Sequence, residues 1–145
     1  MRQAVRMTVP SRTEPVYRYP VTPRYFEFDQ QGIVFNAWYL AWFDDAQAGY
    51  FAFRGVPMAE LIAGGHDVRL ARTEVEWAAP VVPGQSVEVH VTTAALGRTS
   101  ITLQFTVLAA GNVAWTCRAR TVYVVVDTQQ FRPAAVPDHL RTALS

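Results

Sequence analysis

The chain has 145 residues, of which 50% are hydrophobic and 12% aromatic, enough apolar material for one domain with a substantial core. Its 13 basic residues, all of them arginine, nearly balance 12 acidic residues, and no apolar run approaches the ~18–20 residues that cross a bilayer. A nucleic-acid platform or a polybasic membrane-surface protein would need a face of one charge, so neither kind of partner is expected.

The N-terminal region is predicted to be a flexible tail. It carries arginines but no continuous apolar segment, so it does not fit a secretory signal, and Pro10, Pro15 and Pro20 argue against regular structure there. We therefore expect a tail at residues 1–16 and a single domain at residues 17–145. One cysteine allows no disulfide within the chain and favours a reducing, cytoplasmic location.

Two main elements are predicted in the first half of the domain. The aromatic run RYFEF, residues 24–28, is typical of a strand. From Ala37 to about Arg54 the period changes to three and four residues, which predicts a long helix, and a short helix is predicted at residues 58–63. The long helix has an apolar face of Tyr39, Trp42, Phe43, Ala46, Tyr50 and Phe53, and an opposite face with Asp44, Asp45 and Gln47.

Residues 66–128 are predicted to form four strands. The runs SVEVHVTT and SITLQFTV alternate apolar and polar residues, as does the beginning of AWTCRARTVYVVV, whereas HDVRLARTEVEW is assigned from its bounds and length. The turns at 82–85, 96–100 and 110–112 are short, which favours antiparallel neighbours. An apolar helix and an antiparallel sheet bury their apolar faces when the sheet wraps around the helix, which predicts an α+β fold with five strands. The open edges of this sheet favour a homo-oligomer.

Several common catalytic arrangements are missing from the sequence. It has no G-x-S-x-G motif, no glycine-rich phosphate loop and no paired histidines at metal-ligand spacing. Cys117 alternates with Trp115 and Ala119 on a predicted strand, which favours core packing over a nucleophilic role. We therefore expect no metal and no cofactor.

Asp29 lies at the hinge between the predicted first strand and the long helix. An aspartate there could simply close the turn or cap the segment that follows. Alternatively, the free N–H groups at the start of the helix could hold an oxyanion on a carbonyl, while the carboxylate attacks that carbonyl or takes a proton from water. Aromatic walls on both sides would exclude bulk water. The residues alone leave both interpretations open.

The segment FDQQGIVFNAWYLAWFDDAQAGYF resembles the 4-hydroxybenzoyl-CoA thioesterase family of hotdog-fold acyl-CoA thioesterases. The family pattern is an aspartate, two variable residues, Gly-Ile/Val-Val, an Asn/His position and a tyrosine that starts the long helix. It matches Asp29, Gly32, Ile33, Val34, Asn36 and Tyr39. The resemblance covers roughly residues 22–137 and implies a hotdog fold, a five-stranded antiparallel sheet wrapped around one long central helix.

The resemblance also implies an activity, the hydrolysis of an acyl-CoA to a free acid and CoA. Asp29 would act as nucleophile or as general base. The backbone N–H of Asn36 would polarise the thioester carbonyl, although the Asn36 side chain could instead be a plain helix cap. Gly32 would permit a tight approach between Asp29 and the helix.

Further residues are expected to bind the substrate. Phe35, with Trp38 and Trp42, would line a pocket for an aryl or a short or medium acyl group, and Tyr39 would pack in the core or line the same pocket. Arg98, Thr99 and Ser100 could lie near the pantetheine arm in a dimer, with Arg98 on a phosphate, or could form a solvated hairpin turn.

Three alternatives stay open at this point. The substrate could be carried on an acyl-carrier protein instead of CoA, or the domain could bind acyl-CoA or lipid without catalysis. A purely structural dimer in which Asp29 only forms a turn is the third. In every case the expected assembly is a homodimer or a homotetramer.

Overall fold

A computed structural model describes residues 16–145 of the chain. In chain order the elements are β1 (Tyr17–Val21), a 3-10 turn (Tyr25–Glu27), α1 (Ala37–Phe53), α2 (Met58–Ala63), β2 (His66–Trp77), β3 (Val87–Leu96), β4 (Ser100–Ala109), β5 (Cys117–Asp127) and α3 (Asp138–Leu144). Both predicted helices and the four predicted long strands are present. None of the helices in this range is long and apolar enough to span a membrane. The tail predicted at 1–16 lies outside the described residues, except for residue 16.

The five strands form one antiparallel sheet in the order β1–β3–β4–β5–β2. One row of residues in register runs across all five strands: Tyr17, Val91, Phe105, Ala119 and Val75. The three central members are at most 2% exposed, and the two on the edge strands pack against the core from the side. The alternation read from the sequence of β3, β4 and the beginning of β5 therefore decides which side of those strands faces the core.

Helix α1 packs on the inward face of the sheet, where Phe43 stacks on Phe105 with ring centroids 4.8 Å apart. The predicted apolar face is buried except at its end, because Phe53 is 47% exposed and Phe51 is completely buried instead. Gln47, predicted to face outward, is also buried, and its amide contacts the Met58 sulfur at 3.4 Å. Gln47 and Phe51 lie one turn apart on the side that α2 covers, so the helix is buried on a wider face than the sheet alone would cover.

The first strand is not where the sequence predicted it. Residues 25–27 form a 3-10 turn, and the strand is β1, which contains Pro20. Proline is tolerated there because β1 is an edge strand, and β3 is its only strand partner among residues 16–145. The aromatic residues of RYFEF therefore belong to a turn beside α1 and not to the sheet.

The C-terminal segment closes the core at the far end of α1. Leu140 and Leu144 of α3 are at most 1% exposed. The Arg54 Nε donates a hydrogen bond to the Ala143 carbonyl at 2.6 Å, and Arg141 donates to the Gly97 carbonyl at 2.7 Å. These contacts hold α3 against the end of α1 and the β3–β4 turn, away from the helix end that follows Asp29.

Strand β2 forms the other edge of the sheet and leaves apolar surface uncovered. Its outer edge has no strand partner within residues 16–145. Leu70 is 57% exposed and Trp77 49% exposed, and Leu40 of α1 is 42% exposed beside Leu70. The domain would bury this surface in the predicted homo-oligomer, which stays a prediction.

Candidate active site

Asp29 lies in a tight turn that is closed by a single β-bridge between Phe28 and Val34. The Asp29 N–H donates to the Ile33 carbonyl at 2.9 Å, and the Gly32 N–H donates to the Asp29 carbonyl at 3.0 Å. The Asp29 Oδ1 accepts the Gln31 N–H at 2.8 Å, so its carboxylate does close the turn. Its second oxygen has no hydrogen bond within residues 16–145 and is therefore available as an acceptor.

Gly32 is required by its backbone conformation. Its φ is +75°, in the left-handed region that costs other residues about 1–3 kcal/mol. A Cβ at Gly32 would meet nothing within 4 Å. Any role of Gly32 in bringing Asp29 close to the helix therefore comes from this turn conformation and not from the missing side chain, and it stays a prediction.

Helix α1 begins directly after this turn and presents free donors. Asn36 has helical φ and ψ of −56° and −32°, and its side chain makes no cap hydrogen bond, so the plain-cap alternative does not hold. Within the described range, the backbone N–H groups of Asn36 and Ala37 donate to no protein acceptor, whereas Trp38 donates to the Phe35 carbonyl. Free N–H groups at a helix start carry partial positive charge and suit an oxyanion.

A cleft of about 750 Å³ joins the turn to the helix start. Asp29, Phe35, Asn36 and Tyr39 line one side, and the segment from Trp77 to Pro80 lines the other. Burial raises the pKa of Tyr39 to about 12, so its hydroxyl is neutral at ordinary pH. The structure thus brings the predicted acid, the predicted N–H donor and two predicted lining residues into one cleft.

A second cleft, of about 550 Å³, borders the same turn. Its lining is aromatic and proline-rich, and consists of Pro23, Tyr25, Phe26, Phe28, Asp29, Gly32, Pro83 and Gly84. Tyr25 is 95% exposed and Phe26 58% exposed. Asp29 therefore borders two clefts, and both have aromatic residues in their lining.

Two of the predicted aromatic lining residues lie elsewhere. Trp42 is 5% exposed in the core, and Trp38 packs edge-on against Phe26 at 5.4 Å between centroids. Neither lines the larger cleft. Trp38 directly precedes Tyr39 and so points to a different side of α1. Trp42 lies one turn further along the face of Tyr39, with the two ring centroids 5.0 Å apart, and packs into the core beyond the cleft.

Arg98, Thr99 and Ser100 lie at the opposite end of the sheet. Ser100 begins β4, whereas the cleft adjoins Trp77, which is paired through Cys117 to Val107 near the end of β4. Val107 is seven positions along the strand from Ser100, roughly 23 Å at ~3.3 Å per residue. A single chain therefore does not bring these three residues to Asp29.

Two residues with a place at this site were not predicted. Trp77, at the end of β2, faces Tyr39 edge-on across the cleft. Glu27, two residues before Asp29, has a buried carboxyl group that binds the indole of Trp42. Nothing in the sequence pairs residue 39 with 77 or 27 with 42, because these contacts depend on how the turn and β2 lie against α1.

The sequence of residues 24–144 matches the model of the thioesterase-like superfamily. This chain belongs to that superfamily. The match includes the Asp29 turn, α1 and all four long strands, so the predicted resemblance and the predicted thioesterase class are confirmed. A search of curated proteins finds no match.

Solved structures agree with the hotdog fold of this thioesterase. A thioesterase from Thermus thermophilus, complexed with coenzyme A and Zn, is 31% identical, with a TM-score of 0.76 over 89% of this chain and 90% of that one. A predicted thioesterase from Bacillus stearothermophilus is 25% identical, with a TM-score of 0.78 over 90% and 94%. A 1,4-dihydroxy-2-naphthoyl-CoA thioesterase from Synechocystis, at 18% identity and a TM-score of 0.79 over 90% and 96%, shares the fold.

The described part of the thioesterase offers little to a metal ion. Residues 16–145 contain no group of three or more His, Cys, Asp or Glu side chains that could hold one. Cys117 is fully buried, and burial raises the pKa of its thiol to about 12, which suits core packing and not a nucleophile. Among the described residues that line the larger cleft, Asp29 is the one with a carboxylate.

Proposed function

We propose that this thioesterase hydrolyses an acyl-CoA to a free acid and CoA, with Asp29 as the acidic catalyst. One observation supports this most: the Asp29 carboxylate and the unpaired N–H groups at the start of α1 border the same cleft. A thioester whose carbonyl oxygen accepts the Asn36 N–H would have its carbonyl carbon polarised toward Asp29. Tyr39 and Phe35 would then exclude water from the reacting bond.

Two routes from this arrangement give the same products. As nucleophile, an Asp29 oxygen attacks the carbonyl carbon, the carbon–sulfur bond breaks with CoA leaving as thiolate, and water then hydrolyses the resulting anhydride. As general base, Asp29 takes a proton from water, whose oxygen attacks the carbonyl carbon, and the carbon–sulfur bond then breaks with CoA leaving as thiolate. In both routes one water is consumed, and the departing thiolate takes up a proton.

The proposed acyl group is an aryl or a short to medium chain. The larger cleft is of a size that suits such a group, and aromatic side chains border both clefts. The solved relative in complex with coenzyme A, at 31% identity, supports CoA as the carrier. A cytoplasmic location is part of this proposal, consistent with a buried free thiol at Cys117.

We also propose that the working unit is a homodimer or a homotetramer. In one chain the cleft is open beside Trp77, and apolar surface at Leu40 and Leu70 continues along the gap between α1 and β2. A second copy on this edge would bury that surface. It could also bring its own β3–β4 turn, with Arg98, Thr99 and Ser100, to the cleft, where Arg98 would bind a CoA phosphate.

The test compares wild type with Asp29→Asn on short, medium, long and aryl acyl-CoAs, with thiol release as the readout. The asparagine Oδ1 can still accept the Gln31 N–H, so the turn should persist while activity falls by at least ~10²–10⁴-fold. Asp138→Asn, at the exposed start of α3, is the control and should be fully active. Equal activity of wild type and Asp29→Asn would remove Asp29 from the mechanism.

A folded wild type that hydrolyses no acyl-CoA would favour the alternatives. Acyl-carrier-protein thioesters would then be tested in the same assay. Tight binding of acyl-CoA without turnover of either carrier would identify a non-catalytic binding domain.

A further inference from the structure

Glu27 is a buried acid whose two carboxylate oxygens both accept hydrogen bonds. It is 5% exposed. Its Oε2 accepts the indole N–H of Trp42 at 2.7 Å, and its Oε1 accepts the backbone N–H of Arg24 at 3.0 Å. Hydrogen bonds to an ionised acceptor are about twice as strong as those between neutral groups.

The backbone of Glu27 makes a third link, to the other side of the Asp29 turn. Its carbonyl accepts the Phe35 N–H at 2.9 Å, immediately before Asn36. Glu27 thus joins the segment that enters the turn, the segment that leaves it, and the second turn of α1 at Trp42. The segment between Glu27 and Phe35 contains Asp29 and ends next to the free N–H groups at the start of the helix.

Glu27 does not line the larger cleft, so it does not touch the thioester there. A buried carboxylate costs free energy unless its oxygens are hydrogen-bonded, and an apolar residue would fill the space without that cost. The carboxylate adds geometric precision instead. Its two oxygens bind N–H groups from two different segments and so fix the position of one segment relative to the other. That is a property the reaction needs wherever acid and oxyanion donor come from adjacent segments.

We propose that Glu27 is a positioning residue that holds the Asp29 turn against α1 and so sets Asp29 relative to the helix N–H donors. Its effect on catalysis rests on the proposed thioester hydrolysis. Its effect on the geometry of the turn does not depend on that function, so the two effects are measured separately.

The catalytic arm uses Glu27→Gln and Trp42→Phe. The glutamine keeps one acceptor oxygen but turns an NH2 group toward one of the two donors, and the phenylalanine keeps a packed ring without the N–H. Because a misplacement of 1 Å can cost about 10²-fold, we expect kcat to fall about 10- to 100-fold in Glu27→Gln with little change in KM. The double variant should fall no further than the worse single variant, since both changes break the same link.

Matched controls separate this from general damage. Glu60→Gln changes an exposed glutamate of α2, and Trp38→Phe removes an indole N–H that has no acceptor among residues 16–145. Both should keep wild-type kcat. Unchanged kcat in Glu27→Gln and Trp42→Phe, or an equal fall in the controls, would overturn the proposal.

The structural arm is amide hydrogen exchange by NMR. In both variants the amides of Asp29, Gly32 and Phe35 should exchange faster, while amides of β4 keep wild-type rates. Uniformly faster exchange across the chain would show that Glu27 serves only global stability and would overturn the positioning role. If Glu27→Gln does not fold, Trp42→Phe carries both arms, because its ring still fills the core. A wild type without thioesterase activity would refute the proposed function alone, and the exchange result would still support or overturn the hold on the turn.

Discussion

Tyr39 and Trp77 meet edge to face, with ring centroids 6.0 Å apart and planes at 87°. This contact joins the first turn of α1 to the last residue of β2, at the point where the two sides of the cleft meet. The two rings differ in burial, because Tyr39 is 2% exposed and Trp77 is 49% exposed. Stability and substrate selection should therefore depend on different members of the pair.

Trp77→Ala should change substrate preference more than stability. A half-exposed ring contributes less burial energy than a core ring, whereas Tyr39→Ala empties a buried site and should lower the free energy of unfolding by about 3–5 kcal/mol. Urea unfolding midpoints measure the loss of stability, and relative kcat/KM values over an acyl-CoA panel measure the substrate preference. If Trp77→Ala leaves the ratios between acyl groups unchanged, Trp77 does not contact the acyl group.

Gly49→Ala should destabilise the protein although alanine is the better helix former. A Cβ at Gly49 would lie 1.9 Å from the Tyr17 hydroxyl oxygen, and Tyr17 is held beside Phe53 at 5.3 Å between centroids. Overpacking costs about 1–3 kcal/mol, against the ~1 kcal/mol that alanine gains over glycine within a helix. In a Tyr17→Ala background the clash is gone, so Gly49→Ala should become stabilising by about 1 kcal/mol.

The reversal of sign tests the Gly49 explanation. Ala52→Gly, on the exposed side of the same helix, measures the propensity difference without a contact and should cost about 1 kcal/mol. A Gly49→Ala effect that is the same with and without Tyr17 would mean that the aromatic ring does not limit this position.

Alkaline pH should destabilise the protein partly through Cys117. Burial raises the pKa of this thiol from 9.0 to about 12 in the folded state. Because the pKa is raised in the folded state, the contribution of the neutral thiol to folding stability is fully present below pH 9. It is lost as the pH rises from 9 toward 12, because over that range the Cys117 thiol ionises only in the unfolded chain. Cys117→Ala should therefore be less stable than wild type at pH 7, and the difference should shrink by pH 10.5 in urea unfolding.

Val107→Ala is the matched control for the thiol. Val107 is buried and lies opposite Cys117 in the sheet, but it does not titrate. Its destabilisation should be the same at pH 7 and pH 10.5. A Cys117→Ala difference that is equally constant would assign the alkaline sensitivity to other buried groups, such as Tyr39, whose pKa burial raises to about 12.

Several parts of the fold could be predicted from local patterns in the chain. The alternation along β3 and β4 placed their apolar faces correctly, and the period of α1 located the helix to within a residue or so. The ordered pattern that begins with Asp29, Gly32, Asn36 and Tyr39 and extends over roughly residues 22–137 predicted the thioesterase family. These features are encoded within a few neighbouring residues, so a reader of the chain can find them.

Contacts between elements that are distant in the chain could not be predicted in this way. Residues 24–28 have the composition of a strand, but Glu27 binds Trp42 and folds them into a turn beside α1. Tyr39 reached Trp77, and Ser100 was carried to the far end of the sheet from Asp29, because the order β1–β3–β4–β5–β2 is set by packing around the helix. Spacing along the chain determines which way the side chains point within one helix or strand. The distance between two such elements follows from how their buried faces pack together.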